Sequence, residues 1–150
     1  MQEHFKLFTV LIASINRDIR HVKTQIMAEH NLKCPHVSTL YYLYVEKELT
    51  LKELCEKCNE DKGAISRSVK SLEQEGLVDA AYTQKKYKQK LQLTEKGKLV
   101  GKDVVKKIDI AIERAVENLS DEDRESVYRS LKIISKNLQN VNFTNENKKS

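Results

Sequence analysis

The stretch LTLKELCEKCNEDKGAISRSVKSLEQEG, residues 49–76, decides the fold. It reads as two helices joined by a tight polar turn. Thr50 is a good N-cap, and Glu53 three residues later completes a capping box. The helix it opens is short and ends near Cys58-Asn59. Asn59 to Lys62 form the turn. The second helix carries Ile65, Val69 and Leu72 at helical spacing, and Gly76 stands where a glycine ends a helix. This is a helix-turn-helix pattern.

Upstream, Phe5, Phe8, Ile12, Ile15, Ile19, Val22 and Ile26 recur at three- and four-residue steps. They predict a long amphipathic helix over residues 5–28. Pro35 fits a first helical turn, and Val37, Leu40, Leu43 and Tyr44 follow on the apolar face of the next helix. Downstream, Leu77 to Thr83 reads as a strand and Leu91-Gln92-Leu93 as a second. Between them lies a polar hairpin tip without an acidic residue, residues 84–90. Thr94 caps a helix running through Val100, Val104, Ile108, Ile112 and Val116 to Leu119. Ser120 with Asp123 opens the last helix, whose face is Val127, Leu131, Ile134, Leu138 and Val141.

The expected fold is mainly α: an α+β winged helix-turn-helix with long N- and C-terminal helices. The order is four helices, a hairpin and two helices. One domain is expected over residues 1–150, with the winged helix over about 32–96, long helices over 1–31 and 97–142, and a polar tail over 143–150.

The net charge is +5, which favours a polyanionic partner without naming it. No apolar run approaches the roughly 20 residues of a membrane span, and the first residues do not pattern as a signal peptide. A cytoplasmic protein is expected. There is no glycine-rich phosphate loop, paired metal-binding histidine or nucleophile elbow, so neither an enzyme nor a cofactor is expected.

Two features point to double-stranded DNA. In a helix-turn-helix the second helix lies in the major groove and its N-terminal residues reach base edges. The outward positions here are Lys62, Gly63, Ala64, Ser66, Arg67 and Lys70, a small, polar and basic set. Arg67 suits a guanine or a phosphate, Ser66 can donate to either, and the helix N-terminus itself favours an anion. The second feature is the hairpin tip, where Lys85, Lys86, Lys88 and Lys90 form a cation patch suited to the phosphate backbone.

The runs Leu49 to Leu54, Asp61 to Val69 and Leu72 to Val78, closed by Leu91-Gln92-Leu93-Thr94-Glu95-Lys96-Gly97, resemble the MarR family of bacterial regulators. The resemblance extends over nearly the whole chain. It implies a winged-helix homodimer on a pseudo-palindromic operator, usually a repressor, released by a small-molecule effector. It also implies a dimer interface of the first and last helices, here Phe5, Phe8, Ile12 and Ile15 with Val127, Leu131, Ile134 and Leu138. The wing departs from the family's pattern. The usual Asp-x-Arg pair is replaced by Lys85 and Tyr87. Phosphate contact by lysines then replaces insertion of an arginine into the minor groove.

The dimer has support in the residues too. The terminal helices carry apolar faces longer than a winged-helix core needs, and a symmetric partner is the commonest cover. Two recognition helices about 34 Å apart would meet successive major grooves.

Cys55 and Cys58 share the apolar face of Leu51 and Leu54, so they read as core residues and not as a metal or redox pair. Cys34 with His30 and His36 offers an alternative, a metal- or thiol-responsive sensor, although an incidental loop cluster is the simpler reading and no metal site is assigned. A third reading is a helical protein-interaction module that binds no DNA.

Overall fold

The computed structural model describes residues 2–79 and 89–142. Its helices are α1 (Gln2–Ala28), α2 (His36–Glu46), α3 (Leu51–Cys58), α4 (Lys62–Gln74), α5 (Glu95–Ala115) and α6 (Asp121–Gln139), with strands β1 (Glu48–Leu49) and β2 (Leu91–Gln92). The chain forms two compact units, Met1–Ala111 and Ile112–Ser150, and the division falls inside α5. Among the described residues no helix is long and apolar enough to cross a membrane.

The first unit holds the core. Met27 of α1, Leu40 and Leu43 of α2, Leu54 of α3, Val69 and Leu72 of α4 and Val104 of α5 are fully buried. The joints between these helices are local devices. Asn31 takes a left-handed φ of 59° in the turn after α1. Pro35 is the N-cap of α2, one place before the first turn where the spacing sets it. Thr50 and Glu53 form the expected capping box, with the Thr50 amide donating to Glu53 Oε2 at 2.7 Å and the Glu53 amide to Thr50 Oγ1 at 3.2 Å. Asn59 ends α3 in the left-handed region, at φ 52°. At the end of α4, the Leu77 amide donates to the Leu72 carbonyl at 2.8 Å and the Gly76 amide to Glu73 at 2.9 Å. Gly76 has φ +72° and both leucines are buried, which makes this a Schellman motif.

The sheet differs from the simple hairpin expected of Leu77–Thr83 with Leu91–Leu93. β2 pairs antiparallel with β1, Leu49 opposite Leu91 and Glu48 opposite Gln92. The earlier segment contributes an isolated bridge from Val78 to Leu93, and its residues 80–83 lie outside the described set. Leu49 and Leu91 are both buried, so β1 is fixed by a core contact formed across a long sequence separation.

The second unit contains α6. Ser120 caps it, accepting the Asp123 amide at 3.1 Å. Leu119 lies in the turn before α6 and Val141 past its end, so neither extends a helix as the periodicity suggests.

Two glycines separate two kinds of constraint. A Cβ on Gly97 would stand 2.0 Å from the Leu77 carbonyl oxygen, whereas one on Gly76 would meet nothing within 4 Å and be opposed only by its positive φ. We expect Gly76→Ala to cost about 1–2 kcal/mol in chemical denaturation. Gly97→Ala forces backbone apart and should cost about 3 kcal/mol or more. Equal midpoints for the two variants would contradict this account.

Candidate nucleic-acid interface

Helix α4 has two faces with opposite requirements. Ile65, Val69 and Leu72 are buried in the core, and Ser68, also buried, shares a 3.1 Å hydrogen bond between hydroxyls with Thr39 of α2. That polar contact inside an apolar contact surface fixes the rotation of α4 about its axis. The rotation turns Lys62, Gly63, Arg67 and Lys70 to the outside. Ala64 and Ser66, read as outward from the sequence, are partly buried at the edge of this face.

Gly63 has a local role. A Cβ there would lie 3.1 Å from Asp61 Oδ1 and 3.3 Å from Arg67 Nη1, so its bare Cα keeps space between the two groups. Asp61 is a site residue that the sequence reading missed. It is the N-cap of α4, accepting the Ala64 amide at 2.8 Å. Aspartate just before a helical period is a recognised cap signal, but position N3 holds Ala64 and no capping box marks it. Its carboxylate occupies the end of α4 that was expected to favour an external anion. The attraction for phosphate therefore falls on the side chains.

Of the wing lysines, Lys85, Lys86 and Lys88, and Tyr87 with them, lie outside the described residues. Lys90 is exposed and forms an ion pair with Glu48 of β1, which also accepts from Gln92 Nε2 at 3.1 Å. Hydrogen bonds from Lys90 and then Gln92 hold the Glu48 carboxyl below its usual range. Lys90 is thus engaged in an exposed ion pair with β1.

The cysteines and histidines have other engagements. Cys55 and Cys58 pack against the core as expected. Burial pushes the Cys58 thiol from 9.0 to about 11, and burial also raises Cys55. His30 Nε2 lies 2.7 Å from Asp103 Oδ2 on α5, in a cluster where Lys107 bonds Asp103 at 2.8 Å and Glu29 at 2.6 Å. His36 is buried, and its Nδ1 accepts the Lys33 amide at 3.1 Å. Burial first, then the charge of Lys33, lower its pKa from 6.5. Among the described residues no three His, Cys, Asp or Glu side chains group as metal ligands.

With this geometry the comparisons with known proteins agree. Residues 30–83 match the model of the MarR family. That stretch is similar to the winged helix-turn-helix of the MarR family. A curated relative, described as the uncharacterized HTH-type transcriptional regulator YfiV of Bacillus subtilis, is 25% identical over 112 residues, 74% of this chain and 70% of that protein. Solved structures of MarR-family proteins share the fold. A MarR protein from Peptoclostridium difficile superposes with a TM-score of 0.76 at 22% identity, over 89% of this chain and 88% of its own. The Staphylococcus aureus MepR-DNA complex gives 0.74 at 21% identity, over 87% of this chain and 96% of its own.

The raised pKa of Cys58 has a measurable consequence. At pH 8, a pKa of about 11 in place of 9.0 leaves about a hundredfold less thiolate, the reactive form. Iodoacetamide should therefore modify Cys58 in the native protein at least about a hundredfold more slowly than in the urea-unfolded chain. Equal rates, followed by mass spectrometry, would overturn the packing assignment.

Proposed function

We propose that this protein is a DNA-binding transcriptional regulator that works as a homodimer. The observation that carries the reading is the division of α4. Its Ile65, Ser68, Val69 and Leu72 are locked into the core while Lys62, Gly63, Arg67 and Lys70 face out beside Ser66. A basic, narrow helix face held at fixed rotation suits the major groove. Arg67 reads a guanine edge or clamps a phosphate, and the lysines supply salt-dependent affinity. In this reading Lys85, Lys86 and Lys88 meet the backbone from the wing.

The terminal helices support the dimer. Phe5, Ile12 and Ile15 on α1 are 69%, 39% and 53% exposed, and Val127, Leu131 and Leu138 on α6 are 44%, 42% and 59% exposed. Phe8 and Ile134 are partly buried on the same faces. A symmetric partner covers them, and its two-fold axis matches a pseudo-palindromic operator.

The regulator acts as a repressor released by a small-molecule effector. A cleft of about 460 Å³ supports an effector, with Leu43, Tyr44, Lys47, Leu93 and Leu99 in its walls.

Purified protein and duplexes from upstream of its own coding region test the reading. Binding should weaken steeply with salt, and Arg67→Ala should lose about 1–3 kcal/mol. Lys70→Ala should lower the salt slope by about one. Leu131→Asp with Leu138→Asp should give a monomer in sedimentation. No affinity for any duplex above that of a charge-matched control sinks the DNA reading.

A further inference from the structure

The segment closing the wing, Leu93-Thr94-Glu95-Lys96-Gly97, touches the end of α4 at several points. Thr94 Oγ1 accepts the Gly97 amide at 3.0 Å, which caps α5. The same hydroxyl donates to the Gly76 carbonyl at 2.7 Å, just past the end of α4. One hydroxyl thus joins the last turn of one helix to the first turn of the next. The Thr94 amide donates to the Leu77 carbonyl at 3.0 Å. That carbonyl lies against Gly97, where a Cβ would be 2.0 Å from it. Lys96 Nζ donates to the Glu75 carbonyl at 2.8 Å, placing a cation at the negative end of α4.

These contacts do more than complete two caps. A water molecule could satisfy each exposed carbonyl at little cost. Here the partners come from a second helix, so the end of α4 and the start of α5 are held as one piece. We propose that Thr94, Lys96 and Gly97 are positioning residues that form a rigid joint, making the direction of the recognition helix follow α5. The inference rests on the reading of α4 as the recognition helix.

A rigid joint predicts intolerance of altered half-site spacing. Duplexes are selected from a random pool by the unmodified protein, and their half-sites are then moved apart by one base pair. The unmodified protein should discriminate against the shifted duplex by about tenfold or more. In Thr94→Val/Lys96→Met that discrimination should fall to about threefold or less, with a smaller fall in Lys96→Met alone. Thr94→Ser keeps the hydroxyl and should restore it. A uniform loss of affinity with discrimination retained, or no change, overturns the joint.

A second measurement needs no DNA. Amide exchange in residues 62–74 of the double variant should quicken by about fivefold or more while residues 36–46 keep their protection. Unchanged exchange over 62–74, or equal quickening throughout, overturns the joint even if no duplex is ever selected. Failure to select any duplex counts against the DNA reading alone.

Discussion

Residue 97 can carry no side chain, because the Leu77 carbonyl oxygen stands 2.0 Å from where its Cβ would be. Glycine inside a helix costs about 1 kcal/mol relative to alanine, so glycine here runs against local preference. What the close approach permits is convergence of backbone. The Schellman turn of α4, the bridge from Val78 to Leu93 and the first turn of α5 all meet at Leu77. α4 can then be short and still have its C-terminal end fixed. At its other end Asp61 supplies the cap, and in the middle Ser68 and Thr39 set the rotation. Thirteen residues are thereby held at both ends and about their axis, as a helix presenting a few side chains to a ligand requires.

The residues that proved legible from the sequence are those whose signals are local. Thr50 and Glu53 announce a cap within one turn, and Gly76 announces a helix end beside the leucines that seal it. The second face of α4 followed from the spacing of Ile65, Val69 and Leu72. β1 was not legible, because Glu48 and Leu49 are too short a run to show alternation and their partners lie far along the chain. Lys90 was readable as a cation but not as a paired one, since Glu48 sits 42 residues away. Periodicity also places Ala64 and Ser66 outward without showing that neighbouring elements half cover them.

Charge placement refines the meaning of the +5 net charge. Part of the basic content is paired within the chain. Lys57 is paired with Glu46, Lys90 with Glu48, Lys98 with Glu95, and Lys107 with Glu29 and Asp103. Such exposed pairs add little stability, but they cancel field at a distance. Asp61 lowers the potential at the helix end as well. Within the described part of the candidate site, α4 presents Arg67 and Lys70 on its exposed face.

The same distinction between a face and its partner governs α6. No residue of this helix is buried, although Ser120 caps it and Asp121, Glu122 and Asp123 complement its N-terminal dipole. Such local devices leave an isolated helix of 19 residues marginal in water. Burying Val127, Leu131 and Leu138 would contribute about 1.5–3 kcal/mol for each side chain fully covered. In the proposed homodimer that gain exists only when a second copy is present, so the order of α6 and the affinity of association are one quantity. A helical period could reveal the apolar face because it is a property of one chain. The period alone does not fix the cover, which in the proposed homodimer belongs to the second copy.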